Sequence, residues 1–259
     1  MRKPKSGSRS SPQTPEDLAR RLPGIRLKGV AAPVLERARR LLAVTLETAS
    51  AHNLSYRDVV RDLAYGTAAL RVGEAEIARQ SSDPNGPLRT AACASGCAFC
   101  CILAGEDGGT IIEAEARRLH AALGPSIGAP PASAWHAKAC AALDPETRTC
   151  RAYDARPMIC RSHISSDAGA CEKVAAGTPA PGPGVLSGHF TYLAVMSLGR
   201  ALLKGVAKAP TYALAEVTRS AMAGEDLATT LETARHKPRA LDDEVARMSA
   251  TWGKAWRAG

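Results

Sequence analysis

Eight cysteines fall in one stretch of the chain, between Cys93 and Cys171, and the rest of the 259 residues contains none. A thiol serving only as a small apolar side chain has no reason to gather in this way. Clustered thiols are either oxidised in pairs or shared by a metal, and the compartment decides which. The chain begins Met1-Arg2-Lys3-Pro4-Lys5-Ser6-Gly7-Ser8, without the apolar centre of a secretion signal. No apolar run approaches the roughly 18 residues of a membrane span. These features predict a cytoplasmic protein, in which the thiols stay reduced and metal ligation or redox chemistry is their expected use.

The spacing sharpens that expectation. In Cys93-Ala94-Ser95-Gly96-Cys97-Ala98-Phe99-Cys100-Cys101, the two residues between Cys97 and Cys100 allow both sulfurs to close on one tetrahedral ion, and Gly96 suits the turn. Cys140, Cys150, Cys160 and Cys171 form a second group. Adjacent side chains such as Cys100 and Cys101 are expected to point apart, so neither group offers a comfortable complete shell and the centre should bridge both. Four thiolates satisfy one zinc or one four-iron (4Fe-4S) cluster, and eight permit two sites or one site with surplus thiols. All-sulfur ligation selects thiophilic metals over magnesium or calcium. None of the six histidines forms a paired Cys/His finger spacing; His163, close to Cys160, is the one spare-ligand candidate or, as the blander reading, a polar loop residue.

The surrounding chain reads as mostly α, an irregular cysteine-rich metal-binding core flanked by helical N- and C-terminal segments. Aromatics make up only 4% of the sequence while alanine is abundant, which favours helices over sheets. Residues 1–12 are polar, basic and too poor in apolar groups to pack, and are expected to be disordered. A helical arm should occupy 13–80, opened by Thr14-Pro15-Glu16-Asp17 and continued by helices over 33–51 and 56–79. The cysteine domain covers 88–176. Within it, Thr110-Ile111-Ile112-Glu113 reads as a capping box for a helix ending near Leu123. Pro157 should open a short helix that aims Cys160 inward. Thr178 to Gly184 reads as a linker, and a helical segment over 185–257 follows, with helices near 189–207, 211–222, 225–235 and 240–256.

The array Cys93-x3-Cys97-x2-Cys100-Cys101, the later helix with Glu113-Ala114, and Cys150-x2-Tyr153-x2-Arg156-Pro157-x2-Cys160-Arg161 together resemble a bacterial cysteine-cluster family of zinc- or iron-chelating domains (YkgJ-like). The resemblance implies that Cys93, Cys97, Cys100, Cys101, Cys140, Cys150, Cys160 and Cys171 are its metal residues. Ala152 stands where an isoleucine is often found. The family includes proteins similar to flagellin lysine N-methylase, which implies an iron–sulfur centre and S-adenosylmethionine, and hence a methyltransferase-like activity if the chain is an enzyme. Tyr153, Asp154, Arg156 and Arg161 read as a hydrogen-bonded shell whose arginines offset thiolate charge, or else as exposed ion pairs.

Three functional classes remain open at this level. One is the methylase-like enzyme. The Cys93-x3-Cys97-x2-Cys100 spacing also looks like that of radical adenosylmethionine enzymes, but the residues after Cys101 lack the alternating strands of their barrel. A second is a metal-stabilised binding module. Residues 1–40 hold 11 Lys/Arg against 3 Asp/Glu, leaving +1 of the net +9 charge for everything after, and such a basic arm could contact nucleic acid, an acidic protein or an anionic membrane surface. The third is a metal chaperone or store. No phosphate loop, Ser/His/Asp arrangement or paired-carboxylate motif points to hydrolase or kinase chemistry. Between the metals, the surplus of thiols and the methylase resemblance favour iron–sulfur over zinc.

Overall fold

The computed structural model describes residues 13–103, 107–181 and 183–255, so the expected disordered tail at 1–12 and the last two residues of the expected 185–257 segment lie outside the described residues. The architecture is mostly helical. Thr14 caps α1 (Pro15–Arg21): its hydroxyl accepts from the Asp17 amide at 3.2 Å, and the Asp17 carboxylate accepts from the Thr14 amide at 3.1 Å. In α2 (Ala32–Ala51), Val34, Ala38, Leu42, Leu46 and Ala49 form the buried stripe that helical spacing predicts.

The single helix expected over 56–79 is instead two, α3 (Tyr56–Ala64) and α4 (Thr67–Ser81). They break at Gly66, which takes a left-handed φ of 79°. A β-carbon there would stand 2.7 Å from the Ile112 side chain, so the chain must turn at a residue without one. Apolar spacing continues across the break, and periodicity alone therefore does not reveal it.

The middle of the chain contains β1 (Thr110–Ile112), α5 (Glu113–Leu123), α6 (Met158–Ser162), β2 (His163–Ser165), α7 (Ala168–Ala175) and β3 (Pro183–Val185). The C-terminal part contains α8 (Ser187–Leu202), β4 (Thr211–Ala213), α9 (Leu214–Met222), α10 (Leu227–Thr233) and α11 (Ala240–Ala255). The predicted capping box at Thr110 and Glu113 does not form. Thr110 lies in β1, which pairs antiparallel with β4 in the register Thr110↔Ala213, and the box-like bond comes two residues later, from the Ile112 amide to the Glu115 carboxylate at 3.1 Å. The same pairing turns the first three residues of the expected 211–222 helix into a strand. The expected linker also ends in a strand: β3 pairs with β2, His163 opposite Val185.

Helix α8 is apolar on nearly all faces and packs against α2, α3, α4, α6 and α11. Gly73 lets α4 approach it closely, since a β-carbon there would meet Met158 Cε and Tyr192 Cβ, both at 2.9 Å. This helical scaffold forms one core. A second core joins α5, α9 and α10 to the cysteine segments, with Ile111, Leu119, Leu123, Tyr212 and Val217 fully buried and Cys140, Cys150 and Cys160 packed against it. Two segments straddle the cores. Ile112 and Met158 face the scaffold, whereas Ile111, Ile159 and Cys160 face the second core. Among the described residues no helix is long and apolar enough to cross a membrane.

Two consequences for stability follow. Gly66→Ala should destabilise the fold by about 2–4 kcal/mol, from left-handed strain plus the clash with Ile112, measurable as a lowered urea midpoint at unchanged slope. His189, fully buried and stacked on Tyr192 with neither ring nitrogen bonded, has its pKa pushed down to about 3, by burial first and then by the Arg247 charge. Its depressed value means that protons bind the unfolded chain first. The stability it contributes should be complete above about pH 6.5 and fall with acidification by up to about 1.4 kcal/mol per pH unit. Denaturation of His189→Leu between pH 6 and pH 4 should show a slope shallower by close to one proton.

Candidate metal centre

Each cysteine is presented by a local device with a clear physical cause. Ala92 donates to the Ser165 carbonyl at 2.8 Å, tying the start of the first cysteine group to β2. Cys97 then donates to Ala94 O at 3.0 Å across a turn in which Gly96 has φ 80°, the glycine turn the spacing predicts. Cys100 and Cys101 sit in a 3-10 turn over Phe99–Cys101, and Cys140 N bonds to Cys101 O at 2.8 Å, so the two groups are joined through backbone. The carboxylate of Asp144 accepts from the amides of Glu146 and Thr147 at 3.1 and 2.8 Å, closing the loop that delivers Cys150. Pro157 is the residue before α6, one turn from Cys160. Asp167 caps α7, which carries Cys171, accepting from Gly169 and Ala170 at 2.8 and 3.1 Å.

These devices converge. All eight cysteines line one cavity of about 620 Å³, together with Tyr153, Arg148, Arg156, His163, Thr149 and Thr218. No Asp or Glu side chain is among its described lining residues. Every cysteine is a free thiol. Among the described residues, no three His, Cys, Asp or Glu side chains are already drawn into a metal-holding shell. A wider surface cleft, about 730 Å³, shares Leu103 and Thr218 with this cavity but contains no thiol.

Electrostatic influence among the cavity's thiols divides into two overlapping sets. Cys160 feels the charges of Cys140, Cys150 and Cys100, while Cys171 feels those of Cys97, Cys93 and Cys100, so Cys100 belongs to both. The neighbouring Cys101 thiol lowers Cys100 to about 7, with the Arg156 guanidinium assisting, and Cys101 is raised in turn. Adjacent Cys100 and Cys101, both on the 3-10 turn, line the same cavity. Burial pushes the Cys140, Cys150 and Cys160 thiols up, Cys160 well above its ordinary value. Burial likewise lowers His163, favouring the neutral imidazole that a soft metal accepts.

The expected shell of Tyr153, Asp154, Arg156 and Arg161 divides. Arg156 lies 3.6 Å over the Tyr153 ring at the cavity wall, positioned to offset thiolate charge. Arg161 faces the other way, donating to Glu74 of α4 at 2.6 Å, and the Asp154 carbonyl accepts from Arg118 at 3.2 Å. Sequence reasoning missed several participants. Thr218 lies 3.8 Å from the Cys140 thiol, Arg148 joins the lining from a left-handed φ of 54°, and Glu115 stands behind Cys160. The one signal that points to any of them is Glu115 itself, a carboxylate in the first turn of a helix flanked by Ile111, Ile112, Ala114 and Ala116.

The fold and this cavity define a class: a helical protein built around a thiol-lined chamber. Residues 92–177, about a third of the chain, match the model of the CxxCxxCC family, described as "Putative zinc- or iron-chelating domain", in agreement with the resemblance that the cysteine spacing carries. No curated protein and no solved structure matches the chain.

A thiol must lose its proton to bind a metal, and several thiols here hold theirs above the ordinary range. Metal affinity should therefore rise with pH, by about tenfold per unit for each proton released, across pH 6 to 9. Cobalt(II) titrations against a competing chelator at stepped pH would measure the slope. A flat profile would show that these thiols do not ligate.

Proposed function

We propose that this chain is a metal-binding protein whose cavity seats an iron–sulfur centre, with ligands drawn from Cys93, Cys97, Cys100, Cys101, Cys140, Cys150, Cys160 and Cys171. The observation that carries the reading is the gathering of all eight thiols around one cavity with no carboxylate in its described lining. Four thiolates satisfy either a zinc ion or a four-iron cluster; the roomy cavity and the surplus of thiols beyond four favour the larger group. Such a centre, when bound, supplies electron transfer or a Lewis-acidic iron. The residues themselves supply the donor set and its electrostatics: Arg156 and Arg148 offset thiolate charge at the wall, and Cys140, Cys150 and Cys160 are half-buried.

The set around Cys160, namely Cys100, Cys101, Cys140 and Cys150, is the better seat. Cys93, Cys97 and Cys171 form the reserve on the other side of Cys100; exposure does not divide the two sets, since Cys93 and Cys100 are both exposed and Cys171 is buried. Protein purified without oxygen should absorb broadly in the blue, bleach on reduction and contain iron and acid-labile sulfide. Cys160→Ser should abolish that absorption and Cys93→Ser should retain most of it. Colourless protein holding stoichiometric zinc and no sulfide would overturn the iron–sulfur reading and leave a zinc-thiolate site, whose filled d shell gives no visible band.

A further inference from the structure

The helix that presents Cys160 is held from behind by a carboxylate that touches no thiol in any hydrogen bond. Glu115, in α5, is 2% exposed, and burial raises its pKa. Desolvating a carboxyl group in this way is costly unless its oxygens are bonded. Three donors meet it. The Met158 amide, at the first residue of α6, reaches Oε1 at 2.6 Å; the Ile112 amide reaches Oε2 at 3.1 Å; and the Tyr192 hydroxyl of α8 reaches the same Oε2 at 2.6 Å. One residue thus ties the end of β1, the start of α6 and the scaffold helix α8 to a single point.

Its position relative to the cavity gives this knot a purpose. Met158 lies two residues before Cys160, and Glu115 is close enough for its charge to act on the Cys160 thiol. Helix α6 has five residues, too few to hold its own orientation. Its far end is fixed separately by the Arg161–Glu74 ion pair at 2.6 Å. We infer that Glu115 is a positioning residue for the metal centre: through the Met158 amide it sets where α6 begins, and so where the Cys160 sulfur stands in the cavity. The inference rests on the metal-binding reading above, but the geometry it concerns exists in the metal-free chain.

Glu115→Gln separates this role from plain stability. Its one remaining oxygen can serve Ile112 and Tyr192 only if the new amide N–H group faces the Met158 N–H, and serving Met158 instead turns the amide N–H group onto the Ile112 N–H, with only the Tyr192 hydroxyl able to adapt by accepting. Two readouts on the folded full chain test the idea. In metal-free protein, iodoacetamide labelling of Cys160 relative to Cys97, followed by mass spectrometry, should rise at least about tenfold, and cobalt(II) affinity should fall about 10- to 100-fold with an altered ligand-field spectrum, the usual effect of losing a residue that orients a ligand. Tyr192→Phe, which leaves the Met158 bond in place, should shift both in the same direction by a smaller factor and serves where the glutamine variant does not fold. A lowered melting temperature with an unchanged Cys160-to-Cys97 ratio and an unchanged cobalt spectrum in either folded variant would overturn the assignment. Wild-type protein that binds no metal would instead defeat the metal-binding reading, while the labelling ratio still decides the role of Glu115.

Discussion

Thiols brought together in one space resist the arrangement that makes them useful. Each thiolate repels the next, and burial penalises those it covers, so the segments that carry them gain little from meeting until a cation arrives. Here the chain from Cys93 to Cys171 has few long elements of its own, and it is held by what surrounds it. Backbone bonds from Ala92 to Ser165 and from Cys140 to Cys101 sew the segments to one another. The second core, with Leu119, Tyr212 and Val217 fully buried, supplies apolar adhesion from α5, β4 and α9. The cavity is thus a consequence of packing imposed from outside.

That imposed arrangement controls the chemistry. With two arginines and no carboxylate among its described lining residues, the chamber is prepared for anionic sulfur. The pairing of Cys100 with Cys101 makes one thiolate easy to form and its neighbour hard, and burial holds Cys140, Cys150 and Cys160 protonated. A soft cation entering such a site gains the charge of each thiolate and displaces a proton from each thiol, which couples its binding to pH and to the order of the cysteine segments.

The helical scaffold is more than a flanking arm. Met158 lies in the scaffold core beside Gly73 of α4, and Tyr192 of α8 reaches Glu115 across the joint. Motion in α8 or loss of its packing would therefore be felt at α6, the helix that carries Cys160.

Much of the site is legible in the order of the residues alone. Confinement of the cysteines, their spacing and the glycine at Gly96 identify the thiol group, and Pro157 marks the start of the helix bearing Cys160, because turns and short chelating loops are decided by residues next to one another. The cap at Thr14 is legible for the same reason. Long-range partners are not. The strand at Thr110–Ile112 exists because Thr211–Ala213 lies beside it, and Gly66 breaks a helix because Ile112 occupies the space a β-carbon would need. Arg161 reads by its spacing as a companion of the thiolates, yet it turns to Glu74, 87 residues away in sequence. The sequence by itself singled out the eight cysteines that line the cavity and determined that helices surround them, since those depend on residue type and local spacing. Only the tertiary structure decided that all eight thiols share one cavity and that Glu115 stands behind Cys160, because both depend on how distant segments pack, which no local pattern encodes.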